Sequence, residues 1–315
     1  MARKLTYWEK RQIQLFKDKE KRDAKFIKKI NAEYDKLLGD IKKDIAYYYQ
    51  EYSRGDVLDY RKMLEKLSPD ERNLVYRDYT AFAKKNPNYA NLEDIRDSIY
   101  KLNRLEGLEM SMRIKTLELG GVEEAEIKRI LQEHYKRSYE FTMQGLTKQF
   151  SRFPVNHAVM ELTISTRWAN ASNFSSAIWK NKDKLNGILQ NELKNGLIRG
   201  DNYASITKAI TQKIEVGKFE ARRLIFTEGN YVLNQGNLQA FRAEGIKRYE
   251  YSAIMDSRTS VMCQRLNGIT FYCHTARVGY NLPPMHAFCR SCVIPIENHE
   301  PDYRGRDIYD YSEDY

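Results

Sequence analysis

Six residues in one short window could hold a metal or supply a reactive thiol: Cys263, Cys273, His274, His286, Cys289 and Cys292. All four cysteines of the 315-residue chain fall in it. Zinc takes four nitrogen or sulfur ligands in a tetrahedron, usually including one closely spaced pair. Cys289-Arg-Ser-Cys292 supplies that pair, and His286 stands three residues before it. Cys263 precedes Asn267-Gly268, a turn that could fold it back toward the pair. The candidate zinc set is therefore Cys263, His286, Cys289 and Cys292, with Cys273 as the substitute fourth ligand. A zinc ribbon carries two such pairs and this chain has one. Reduced thiols buried in a small core remain an open alternative, and so does a disulfide, although a cytosolic chain rarely keeps one.

The same residues could be read as catalytic. Cys289 and His286 make a nucleophile and a base on paper. A zinc-assisted hydrolase would need an open metal position and a general base, for which Asp256 or Glu297 could serve. No further partner for either chemistry is evident, so no catalytic residue is expected. In Asp256-Ser-Arg-Thr259 the simpler reading is that Asp256 or Ser257 caps the next helical turn while Arg258 pairs with a local acid. Thr227-Glu228 reads as a buried polar contact, and His134 and His157 as surface or satisfied core histidines. Phosphate-binding glycine loops, the HExxH zinc motif and the GxSxG serine motif do not occur.

These residues need elements to position them. From Leu5 to about Ser53, apolar residues recur at helical spacing, among them Trp8, Phe16, Phe26, Ile30, Tyr34 and Ile45, which predicts one or two long helices. Their apolar stripe is narrow, so they should lean on a partner helix or a neighbouring subunit. Ser53-Arg-Gly-Asp56 should break the pattern. Ser68, Pro69, Asp70 and Glu71 predict a helix start, and Asn86-Pro87 its end. Asn91 should cap a helix that stops at Gly120-Gly121, with another following. A shorter helix should begin near Asn156. From Thr166, glycines predict short helices with corners, one at Gly200-Asp201, and a further helix ending at Gly245. Lys247–Met255 alternates like a strand, residues 256–266 read as a capped turn, and Asn267-Gly268 is a hairpin signal. The segment from Pro283 returns as turn and strand.

The fold class expected is mainly α, with elongated helical N-terminal and middle regions and a small α+β C-terminal module of hairpin and short strands. The regions run 1–165, 166–245 and 246–297, followed by an acidic, tyrosine-rich tail over 298–315 expected to be flexible. Net charge is +10 and mean hydropathy −0.71. The basic balance attracts polyanions, which makes DNA a candidate partner, yet 43 acids are mixed among the basic residues. No apolar run is long enough to span a membrane, and the N-terminus lacks the apolar core of a secretory signal. The cytosol is the expected place of folding.

One family brings these features together. Asp256, Arg258, Thr259, Cys263, Leu266, Gly268, Pro283, Pro284, His286, Cys289 and Arg290 occur in the order seen in phage minor head proteins related to protein F of phage Mu. The helices before the strand fit too, with Arg222 or Arg223 and Thr227-Glu228 in place. The resemblance covers about residues 166–297. It implies a structural, non-enzymatic role in head morphogenesis, with Asp256, Arg258, Thr259, Gly268, Pro283, Pro284 and Arg290 as structural motif residues. It also implies portal protein as partner, contact with major capsid or scaffold protein, and handling or ejection of packaged DNA. The expected location is the virion head near the portal, after assembly in the host cytoplasm. Cys292 and Cys273 depart from the family pattern. The competing expectation is a zinc-dependent nucleic-acid enzyme or toxin-like domain.

Overall fold

The computed structural model describes residues 4–85, 87, 99–149, 153–169 and 171–296. Asn86 and Asn91, expected at helix ends, lie outside the described residues, as do Glu297 and the 298–315 tail.

The fold is mainly α, as the sequence predicts. Helix α1 (Tyr7–Tyr52) is a single helix of 46 residues. Thr6 and Glu9 close its start reciprocally: the Thr6 N–H donates to Glu9 Oε2 at 2.7 Å and the Glu9 N–H to Thr6 Oγ1 at 3.2 Å. The expected break is a two-residue hairpin, β1 (Ser53–Arg54) against β2 (Val57–Leu58), turned at Gly55. After α2 (Tyr60–Met63), α3 (Pro69–Lys85) begins where predicted, with Ser68 and Glu71 as its capping box at 2.6 and 3.3 Å. A third box, Asn103 with Glu106, opens α4 (Arg104–Thr147). Then follow α5 (His157–Ser165), capped by Asn156 as expected, α6 (Phe174–Arg199) and α7 (Tyr203–Ala243). Gly200 and Gly245, both at positive φ, close α6 and α7 as the sequence predicts.

Two expectations fail for one reason. Gly120-Gly121 does not stop a helix, since α4 runs through it, and α6 and α7 pass through their glycines without corners. Most of these glycines, Gly187 aside, admit close neighbours and not turns. A Cβ on Gly120 would lie 2.9 Å from the Trp179 ring of α6. A Cβ on Gly236 of α7 would lie 2.0 Å from Ser138 Oγ and 2.8 Å from the Tyr135 carbonyl oxygen. The carbonyl is backbone of α4 and cannot swing away. Gly236→Ala should therefore lower stability by about 2 kcal/mol although alanine favours helix. A chemical denaturation curve that gains stability would show that the two helices part freely.

The C-terminal module holds the three-stranded antiparallel sheet. Strand β3 (Arg248–Ser252) lies between β4 (Thr270–Tyr272) and β5 (Cys292–Ile296), with α8 (Val261–Leu266) in the β3–β4 connection. Asn267-Gly268 is therefore not the tip of a hairpin. Asn267 ends α8 and Gly268, at φ +82°, turns the chain into β4. The capped turn expected over 256–266 ends in α8, so the chain enters Asn267-Gly268 from a helix and not from a strand.

Contacts sort the chain into two units, one from residues 1–25, 127–174 and 223–315, the other from 26–126 and 175–222. The sequence reading divides the chain into consecutive stretches instead. Helices α1, α4 and α7 each supply residues to both units. In the second unit, Val75, Tyr79 and Phe82 of α3 pack with Ile114 and Leu117 of α4. In the first, Leu238 and Phe241 of α7 pack on Tyr249 of β3, Val293 of β5, Leu282 and Cys273.

Candidate functional site

The site lies in the first unit, where α8 and the segment before β5 meet. Ser260 is the cap of α8: its Oγ accepts the Cys263 N–H at 3.3 Å. The cap was expected at Asp256 or Ser257. Helical geometry then fixes Cys263 in the first turn, facing the sheet.

His286 and Cys289 are brought together by a single turn. The Cys289 N–H donates to the His286 carbonyl at 3.2 Å, so the two residues are its first and fourth positions. The third position, Phe288, has φ +58°, a left-handed conformation that costs a bulky residue on the order of 1–2 kcal/mol. Two contacts with α7 hold it there. The Phe288 ring packs 5.6 Å from that of Phe226, and its N–H donates to Thr227 Oγ1 at 3.3 Å. Thr227 thus has a local task at the turn. Pro283-Pro284, just upstream, is joined by a cis peptide bond.

Three of the four expected ligands converge. Cys263 Sγ lies 3.3 Å from His286 Nε2 and 3.8 Å from Cys289 Sγ. One ligand atom from each of the three falls within 4.8 Å of the others. His286 Nδ1 is 2.7 Å from the Ala287 carbonyl, which only accepts. A neutral ring therefore carries its proton on Nδ1 and turns the Nε2 lone pair toward the sulfurs and Ser260 Oγ, 2.9 Å away. Tyr251 of β3, fully buried, donates its hydroxyl to Cys263 Sγ at 3.2 Å. The Cys289 thiol, then the Ser260, Ser291 and Tyr251 hydroxyls, hold the Cys263 thiol well below its ordinary range. Cys289 keeps the shared proton and is raised.

Cys292 lies apart, and strand geometry gives the reason. It pairs with Ser252 across β3 and β5, while Val293 pairs with Tyr251. Residues opposite one another share a face and neighbours alternate. Tyr251 reaches Cys263, so Cys292 occupies the other face, where its Sγ meets the Ser252 carbonyl at 3.6 Å. Burial pushes its thiol up to about 12. Cys273 is buried with Leu238 and Phe241, and His274 is exposed beside Tyr272. All four thiols are free.

The motif residues form a lock around this turn. Asp256 accepts two hydrogen bonds from Arg290, one at 2.7 Å, and the Arg258 N–H at 2.8 Å. Arg290 first and that N–H second hold the Asp256 carboxyl well below the usual carboxylate range. The acid that opens the motif and the arginine that closes it are thus partners, and Arg258, expected to pair with a local acid, is exposed with its guanidinium 3.5 Å from the same Asp256 carboxylate. Thr259 Oγ1 donates to the Ile254 carbonyl at 2.5 Å and accepts the Asp256 N–H at 3.0 Å.

An asparagine ladder on α7 escaped the sequence reading. Asn230, Asn234 and Asn237 are fully buried. The Nδ2 groups of Asn230 and Asn234 donate to the Ser291 carbonyl at 3.2 and 3.3 Å, which fixes the chain between Cys289 and Cys292. Asn237 accepts from Thr142 and donates to Gln12. The available signal was three asparagines at helical spacing, Asn230, Asn234 and Asn237, on one face of α7.

The class defined here is a helical protein whose C-terminal α+β module closes on a pair of buried thiols beside a surface imidazole. Residues 187–294 match the sequence model of the family described as Phage Mu protein F like protein, which bears out the resemblance for the C-terminal region. No curated protein and no solved structure matches the chain. Among the described residues no helix is long and apolar enough to cross a membrane.

Cys289→Ala should destabilise the module by about 1–2 kcal/mol, because it removes a buried sulfur from contact with Cys263. The check is hydrogen exchange at the amides of β3 and β5. Unaltered protection there would mean that the cluster does not hold the sheet.

Proposed function

We propose that the chain is a structural minor head protein that associates with the portal during head assembly and remains in the particle. The observation that carries this reading is the family match over residues 187–294, which spans all of α7 and the whole motif. The geometry supports a structural role, since the motif residues bond to one another and to α7: Asp256 to Arg290, Thr259 to the Ile254 carbonyl, Thr227 to Phe288. A net charge of +10 favours contact with packaged DNA as well as with protein.

The test is quantitative mass spectrometry of purified DNA-filled particles and empty proheads from the source. A few copies per particle in both, cross-linking to portal protein, is the expected result. Absence from both, with the protein free in the lysate, overturns the reading. Hydrolysis of nucleic acid by the purified chain, abolished by a chelator, would put a zinc-dependent enzyme in its place.

A further inference from the structure

We propose that Cys263, His286 and Cys289 bind one thiophilic divalent cation of the zinc class, and that its fourth coordination position opens on a cleft beside Ser260. This is independent of the head assignment.

The spacing of the donor atoms carries the inference. Two sulfurs each about 2.3 Å from zinc in a tetrahedron lie about 3.8 Å apart, and a sulfur and an imidazole nitrogen about 3.5 Å. Cys263 Sγ and Cys289 Sγ are 3.8 Å apart, and Cys263 Sγ and His286 Nε2 are 3.3 Å apart. Two of the cluster's three edges thus come close to those of a zinc tetrahedron, and the third is bounded at 4.8 Å. The surroundings are those of a metal site too. A ligating imidazole normally donates its other N–H to a carbonyl or carboxylate. His286 has the Ala287 carbonyl at 2.7 Å from Nδ1 for that purpose. Coordinated sulfur carries negative charge and needs donors, and Cys263 Sγ receives the Tyr251 hydroxyl at 3.2 Å.

Three ligands come from two separated segments, α8 and the turn before β5. A metal would therefore clamp the β3–β4 connection to the β5 entry. The fourth corner has no fourth thiol, because Cys292 is on the far face of the sheet. It faces a small cleft lined by Ile254, Thr259, Ser260, Phe288 and Ser291. A water or an entering ligand would complete the tetrahedron there, with the Ser260 hydroxyl beside it. On binding, the thiol protons pass to solvent.

The experiment is metal analysis of the full chain purified without chelator, followed by cobalt titration of the metal-free protein. One zinc per chain is expected, with a cobalt–thiolate charge-transfer band in the near ultraviolet. Cys292→Ser and Cys273→Ser should keep both metal and band. Cys263→Ser, Cys289→Ser and His286→Ala should each lose at least tenfold in affinity. His286 lies at the surface, so His286→Ala leaves the buried packing in place, and circular dichroism verifies its fold. A folded wild-type chain with neither zinc nor the cobalt band overturns the proposal. A native Cys263–Cys289 disulfide overturns it as well, and so does equal metal loss in Cys292→Ser.

Discussion

Replacing Lys182 by methionine should cost the chain about 3–5 kcal/mol of stability, the usual penalty for leaving a buried charge without its partner. Lys182 Nζ lies 2.5 Å from Glu123 Oε2, and each side chain is 1% exposed. Tyr34 donates its hydroxyl to the same oxygen at 3.2 Å and also receives the lysine. Burial pulls the Lys182 ammonium down, and burial, with Glu123 beside it, pushes the Tyr34 hydroxyl well up. The other carboxylate oxygen, Glu123 Oε1, has no hydrogen-bond partner. Lys182→Met would leave that carboxylate with only a phenol to answer it. The double variant Lys182→Met/Glu123→Leu removes both charges and should recover most of the loss. Urea unfolding of the two variants measures the difference. A single variant within 1 kcal/mol of wild type would mean that water reaches Glu123 once the lysine is gone.

Nothing in the sequence around these two residues announces the pair. Glu123 sits among acids in Val-Glu-Glu-Ala-Glu and Lys182 among lysines in Lys-Asn-Lys-Asp-Lys, patterns that read as solvated helix faces. The pairing spans 59 positions of sequence, and no local rule reaches that far. The same holds for Lys19, Asp23 and His134. They are buried together, with His134 Nε2 2.7 Å from Asp23 Oδ1, which makes His134 the satisfied core histidine that was one of its two readings.

What was legible rests on local physics. The starts of α3 and α5 followed from Ser68 and Asn156 because a cap is a contact within three residues. Gly200 and Gly245 ended helices because both must adopt positive φ. Gly120 and Gly236 misled because a glycine needed for close approach cannot be told from one needed for a turn without its neighbour in view. Of the four candidate residues, His286 and Cys289 lie together because they are the two ends of one turn, and α8 brings Cys263 to them. Cys292 was included because a C-x2-C spacing is blind to where a strand begins. Once β5 starts at Cys292, alternation sends its sulfur to the far face.

Glu228 gives the second large effect, and it depends on pH. Its carboxyl is 5% exposed, and Trp168 Nε1 donates to it at 2.9 Å. Burial raises it from 4.5 to about 7, and the tryptophan hydrogen bond only partly opposes this. Between those two values the folded chain holds a proton that the unfolded chain has released. Stability therefore falls as pH rises from about 4.5 through about 7, and above that range the buried carboxylate costs on the order of 3 kcal/mol. Glu228→Gln keeps an oxygen for Trp168 and removes the charge. The variant should match wild type at pH 4.5 and exceed it by up to that amount at pH 8, with the gain developing across the same window. Denaturation curves at a series of pH values test this directly. Parallel profiles for the two proteins would mean that Glu228 is hydrated in the folded state. The burial of Glu228, whose carboxylate takes the Trp168 N–H, argues against that.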